Sequence, residues 1–127
     1  MVFDQFKNLS ELAGLMKNAG RIREQFEELR KEVAAMQFEA ETGGGAVKAV
    51  ASGDLRLRSL TIDPAMMTGL VDPTLEEDRQ LAQDLIVGAV NAVMEKARQA
   101  TAKQMAERGR ELGLPIPPDL DLGQLLG

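Results

Sequence analysis

Residues Leu12 to Met36 constrain this chain most. With Leu12 at heptad position a, Leu12, Ala19, Phe26 and Val33 occupy a, and Leu15, Ile22, Leu29 and Met36 occupy d. Four heptads pass without a lost a or d position. So narrow an apolar stripe requires another helix lying along it. Lys, Arg, Glu, Gln and Asn fill most of the remaining positions. Gly14 and Gly20 fall on the outer positions c and b, where each costs about 1 kcal/mol relative to Ala. The register runs through Asn18-Ala19-Gly20 unchanged, so one continuous helix is expected. A break there, with a helix starting at Arg21, is the alternative. Asn8 is the expected cap, and Ser10 fits it less well.

After Met36 the apolar period shortens to two. Phe38, Ala40 and Thr42 alternate with Glu39 and Glu41, as in a half-buried strand. Gly43-Gly44-Gly45 makes a turn into a second strand over Ala46–Ser52. Gly53-Asp54 suits a two-residue turn with positive φ at Gly53, leading to a third strand over Leu55–Ile62. Leu55 and Leu57 alternate with Arg56 and Arg58, but Leu60 and Ile62 fall on the arginine side, which calls for either a bulge or a switch of packing partner near Ser59. Asp63-Pro64 ends this strand. Ala65 to Asp72 is expected to be a connecting turn. Thr74 and Glu77 form a capping box for a second long helix, which ends near Gly109 or Gly113. Leu114-Pro-Ile-Pro-Pro then imposes an extended tail. The fold class is α+β in the order α-β-β-β-α, with a three-stranded antiparallel sheet. Residues 1–113 form the domain and 114–127 the Pro/Leu-rich tail.

The helices are about 40 Å and 55 Å long at 1.5 Å per residue. A compact globule of this length is only about 36 Å across. Both helices outrun it. Aromatic residues are 3% of the chain, all Phe, so the core is built from aliphatic residues and Met and is thin for its size. A homodimer resolves both problems, with Leu12, Leu15, Ala19, Ile22, Phe26, Leu29 and Val33 at the interface; an intramolecular helix pair with fraying ends is the alternative.

The 127 residues include no Cys, His, Tyr or Trp. This excludes thiolate chemistry, histidine-activated serines and most transition-metal sites. Gly43-Gly44-Gly45 before Lys48 lacks phosphate-loop spacing and leads into a strand. Asp119 and Asp121, and the Glu76-Glu77-Asp78 cluster, lack calcium-loop spacing. No enzyme activity, catalytic residue, metal or cofactor is expected. No apolar run reaches the length of a membrane span, and no signal peptide is evident, so a cytoplasmic protein is expected.

Placement of basic residues is the feature that can carry function. Lys96, Lys103 and Arg110 recur every seven residues along one side of the second helix, with Arg98 and Arg108 on other faces. Lys7, Lys17, Arg21 and Arg23 populate the early first helix. Between Arg79 and Leu112 six basic residues face four acids, on a chain whose net charge is −5. Two readings stay open: an ordinary solvated helix face, or basic arms that grip a phosphate backbone without reading bases.

Leu15-Met-Lys-Asn-Ala, the Gly-rich turn followed by Ala46-Val-Lys, and above all Leu60-Thr-Ile-Asp-Pro resemble the YbaB/EbfC family of bacterial nucleoid-associated proteins. The late helix followed by Leu-Pro-Ile-Pro-Pro is similar to that family too, so the resemblance spans about Leu9 to Pro118. The chain departs from it at Gly20 and in the Leu120–Gly127 tail. The resemblance implies an intertwined, tweezer-shaped homodimer. It also implies binding to double-stranded DNA with little or no sequence preference, and a role in nucleoid organisation or gene expression. It assigns DNA contacts to the first and last helices, which makes Lys7, Lys17, Arg21, Arg23, Lys96, Arg98, Lys103, Arg108 and Arg110 the candidates. A second function class is a dimeric adaptor that binds proteins and not DNA, using the Pro-rich tail.

Overall fold

The computed structural model describes residues 2–113, with the side chains of 13, 14 and 16–113. Lys7, Leu12 and Leu15 lie outside the described side chains, and the tail 114–127 lies outside the described residues. The elements are α1 (Val2–Ala34), β1 (Gln37–Thr42), a 3-10 turn (Gly43–Gly45), β2 (Val47–Ser52), β3 (Arg56–Ile62), α2 (Pro64–Leu70) and α3 (Glu76–Glu111). The expected α-β-β-β-α order is present, with α2 added.

α1 is continuous through Asn18-Ala19-Gly20. It begins upstream of Asn8 and Ser10, so neither caps it. The sheet is an antiparallel meander in the order β1-β2-β3. Its pairings align Phe38 with Ala51 and Leu57, Ala40 with Ala49 and Leu60, and Thr42 with Val47 and Ile62. The register shifts between Val50 and Ala51, which face Ser59 and Leu57, and Arg58 is the extra residue. This bulge accounts for the inverted pattern of β3. It returns Leu60 and Ile62 to the face that Leu57 occupies.

The first half of α3 crosses that face. Ala89, Val93 and Ala97 bury themselves against Val47, Ala49 and Ala51, with Phe38, Ala40, Leu85 and Ile86 at the margins. Thr42 Oγ1 donates to the Leu85 carbonyl at 2.6 Å. The second half of α3 leaves the sheet and packs on α1, where Leu29 and Val33 enclose Met105, with Phe26 and Leu112 alongside. Leu55 touches both clusters. The buried row of α3, Ala89, Val93, Ala97, Thr101, Met105 and Gly109, therefore serves two successive partners.

Three local expectations need correction. First, the β2–β3 connection spans Gly53 to Leu55, and its left-handed residue is Leu55 (φ 61°), not Gly53. Gly53 is required by proximity. Its N–H donates to the Met36 carbonyl at 2.8 Å, and a Cβ at Gly53 would lie 1.8 Å from the Val33 carbonyl oxygen. Second, Ala65–Asp72 is not a plain turn. Pro64–Leu70 is helical, with Asp63 as its N-cap accepting from the Met66 N–H at 3.0 Å. Third, Thr74 and Glu77 form no capping box. The N-cap of α3 is Leu75, without a side-chain bond. Asp72 accepts from both the backbone N–H and the hydroxyl of Thr74, and Asp78 reaches back to the Asp72 N–H at 2.7 Å. The Thr74 hydroxyl is thus committed to Asp72 and does not cap the helix.

The turn after β2 is held by polar contacts as well. The Ser52 hydroxyl donates to Asp54, and Arg58 donates to Ser52 through Nε (2.8 Å) and to Asp54 through Nη2 (2.9 Å). The Ser52 hydrogen bond, followed by the Arg58 and Arg56 charges, holds the Asp54 carboxyl below its ordinary range. A carboxyl depressed in the folded state stabilises above its ordinary pKa, and that contribution is lost as pH falls through the lowered value.

This joint can be tested at two residues. Gly53→Ala should destabilise the fold by about 1–3 kcal/mol or more, because backbone and not a flexible side chain must yield; urea unfolding measures it. Asp54→Asn should be less stable than wild type near neutral pH. The gap should close as pH drops below about 3.9, and unfolding curves at several pH values read it.

Candidate nucleic-acid interface

α1 and α3 run antiparallel where they meet. Thr101 lies at the Val33 corner, Met105 packs with Leu29 and Val33, Phe26 and Leu112 pack at the margin of that cluster, and Arg108 Nη2 lies 3.3 Å from a Glu32 carboxylate oxygen. Among the described residues the apolar cluster that joins α1 to α3 extends up α1 as far as Phe26. Residues 2–21 continue past that point as an arm of about 30 Å. Of the described seam residues, Leu29 and Val33 are buried within the chain, Phe26 is half-buried, and Ala19 and Ile22 are exposed.

The candidate basic residues divide by location. Lys17, Arg21 and Arg23 are exposed on the arm. Lys103 and Arg110 are exposed on the last turns of α3, beside the root of the arm. Among the described residues these five form no ion pair. The other three described candidates are engaged. Lys96 lies back against the sheet, with Nζ donating to the Glu39 carbonyl at 3.0 Å. Arg98 pairs with Glu95 at 2.5 Å. Arg108 pairs with Glu32 on α1 and with Glu111 at 2.8 Å, and these carboxylates, Glu111 first, raise its pKa further. Periodicity in the sequence does not single out Lys31. It is exposed in the last turn of α1, next to Glu32.

The α2 end is net acidic, whereas on the arm and its root Lys17, Arg21, Arg23, Lys103 and Arg110 are interspersed with Glu24, Glu27, Glu28, Glu32, Glu107 and Glu111. Asp63, Asp72, Glu76, Glu77, Asp78 and Asp84 lie on α2, its flanks and the start of α3, among which Arg79 is the one basic residue. α3 spans 36 residues, so its ends are separated by about 54 Å. The screening length at physiological salt is about 8 Å. The net charge of −5 therefore says little about the field at the arm. The polarity also suits α3 itself, with acids at its positive N-terminal end and Arg108 and Arg110 at its negative one.

Among the described residues no group of three or more His, Cys, Asp or Glu is placed to hold a metal ion. No described helix is long and apolar enough to cross a membrane. What the geometry offers is a charged, extended surface suited to a polyanion.

Comparison with known proteins agrees with that chemistry. The model of the YbaB/EbfC DNA-binding family matches residues 7–112. A protein named nucleoid-associated protein from Polynucleobacter necessarius subsp. necessarius (strain STIR1) is 34% identical over 111 residues, covering 87% of this chain and 94% of that protein. One of the same name from Polynucleobacter asymbioticus is 33% identical over 111 residues, with the same coverage.

Proposed function

We propose a function from one premise: the chain belongs to the YbaB/EbfC DNA-binding family. It binds double-stranded DNA as a homodimer in the nucleoid, through phosphate contacts and with little sequence preference. By doing so it influences nucleoid organisation and gene expression. The observation that carries this reading is the set of exposed basic residues, unpaired among the described residues, on the arm and at its root: Lys17, Arg21, Arg23, Lys103 and Arg110. They stand far from the acidic end of the same chain. Lysine and arginine on helices neutralise phosphates without reading base edges, which gives affinity and register but little selectivity.

The homodimer is supported by what the single chain leaves uncovered. Every residue of β3 is exposed, and on the sheet face beside α3 stand Leu57 (43% exposed), Leu60 (38%) and Ile62 (43%). An apolar groove continues past Ile62 along Pro64, Met67 and Val71. β3 is also an edge strand, whose unpaired backbone groups invite another chain. Ile22 and Met16 on the arm are exposed as well. A second copy covers such surfaces with no new component. The adaptor reading rests on the net charge of −5, the exposed Met and Leu side chains and the Pro-rich tail; a second copy of the chain accounts for the same exposed apolar surface.

Two measurements test these statements. Titrating a duplex at several salt concentrations should give an affinity that falls steeply with salt, with a log–log slope of about −0.9 per phosphate contact. Lys103→Glu with Arg110→Glu should weaken binding and flatten the slope; no binding at low salt would sink the DNA reading. Sedimentation should find wild type as a dimer and Leu57→Glu with Leu60→Glu as a folded monomer, because burying two carboxylates in an apolar interface is strongly unfavourable. A dimer that survives both substitutions removes β3 from the interface.

A further inference from the structure

Arg108 and Arg110 are near neighbours of one type in sequence, yet the fold uses them differently. Arg110 is exposed and unpaired among the described residues. Arg108 is half-buried between the helices, where Nη2 donates to Glu32 on α1 (3.3 Å) and Nη1 to Glu111 (2.8 Å). Its Nε is shut off from solvent, with no hydrogen-bond partner among the described residues. Met105 just before it packs on Leu29 and Val33, and Leu112 just after it packs against the same cluster. The guanidinium therefore sits at the edge of the seam that joins arm to body, with only Nε shut off from solvent.

A planar guanidinium engages two acceptors at once and holds them in fixed directions. Here one acceptor is on its own helix and the other is on the arm's helix. Two carboxylates already neutralise its charge, so a DNA phosphate gains less there than at Lys103 or Arg110, which form no ion pair among the described residues. Glu32 lies in the last turn of α1, so a change there is carried along the rigid helix to an arm of roughly 30 Å.

We infer that Arg108 is a positioning residue for DNA binding, which locks the α1 arm onto α3 through Glu32 and makes no phosphate contact of its own. The inference rests on the DNA-binding reading above and deepens it. It explains why a basic residue can matter to binding without adding to the count of neutralised phosphates.

The test is a duplex titration at several salt concentrations with the full chain, comparing wild type, Arg108→Gln, Arg110→Gln and the charge swap Glu32→Arg with Arg108→Glu. Circular dichroism melts establish that each variant is folded. Arg108→Gln should bind more weakly than wild type at every salt concentration but with the wild-type slope. Arg110→Gln should flatten the slope by about 0.9 for each phosphate it no longer neutralises. The swap keeps the net charge and reverses the ion pair, so it should recover affinity relative to Arg108→Gln. A folded Arg108→Gln with a flattened slope would make Arg108 a phosphate ligand and overturn the inference. So would a folded Arg108→Gln that binds as tightly as wild type, or a folded swap that binds no better than Arg108→Gln. Failure of the wild-type chain to bind the duplex is a separate result, which overturns the DNA reading itself.

Discussion

The contact between Gly53 and the backbone at Val33 sets the direction of everything that projects from this molecule. Gly53 has no side chain, its N–H bonds to the Met36 carbonyl, and the Val33 carbonyl lies where a Cβ would be. The end of α1 is thereby held against the β2–β3 turn at backbone distance. Thr101 of α3 closes the same corner, 3.2 Å from that Cβ position. Leu55 fills the space between the sheet cluster and the α1–α3 cluster from a left-handed backbone conformation. A leucine at positive φ costs about 1–2 kcal/mol. That strain is sustained by the contacts its side chain makes in both clusters. Three elements thus meet within a few residues, and the long helices leave this joint at fixed angles.

Rigid helices then convert that local joint into charge separation over tens of ångströms. α3 carries Glu76, Glu77 and Asp78 at the end that meets α2, and at the end that meets α1 Lys103, Arg108 and Arg110 outnumber Glu107 and Glu111. Because screening acts over about 8 Å, the two ends behave as independent surfaces. An acidic protein can in this way present a basic grip, and overall pI is a poor guide to its partner. The Glu39–Lys48 pair at 3.2 Å and the Lys96–Glu39 contact keep the intervening sheet region polar but internally satisfied.

The helices and strands were legible because they rest on period. The heptad from Leu12 to Met36 survives Gly20 as an unbroken helix as far as Ala34. The slip between Leu57 and Leu60 marks a bulge, since a strand with one apolar face cannot change side without an extra residue. Asp63-Pro64 marks the strand end and also starts α2, which the pattern of Met66, Met67 and Leu70 conceals because so short a helix shows no clear period. What was illegible depends on neighbours remote in sequence. A glycine before Asp54 suggests positive φ, yet its reason is the carbonyl of Val33, far earlier in the chain. Thr74 has the spacing of a capping box, but Asp72 captures its hydroxyl first. The candidate bases were visible as a set, whereas their division into free and engaged depends on Glu32, Glu39 and Glu95, which periodicity does not match to them.

The unequal use of the heptad seam follows from the size of the core. Among the described residues, half of the buried apolar side chains are alanines (Ala46, Ala49, Ala51, Ala89 and Ala97), and no phenylalanine is fully buried. Small side chains bring α3 close to β1 and β2, but a helix that sits so close covers little width. One helix therefore cannot also shield β3, and Leu57, Leu60 and Ile62 stay at its margin. The same limit applies along α1. α3 is consumed by the sheet over its first half and has only its last turns left to offer, enough to cover Leu29 and Val33, with Phe26 at the margin. Farther up the arm, Ile22 and Met16 stay exposed, and so does the strand edge. Both deficits arise from one helix being shared between two partners, and the proposed second copy would supply the helix surface the first lacks.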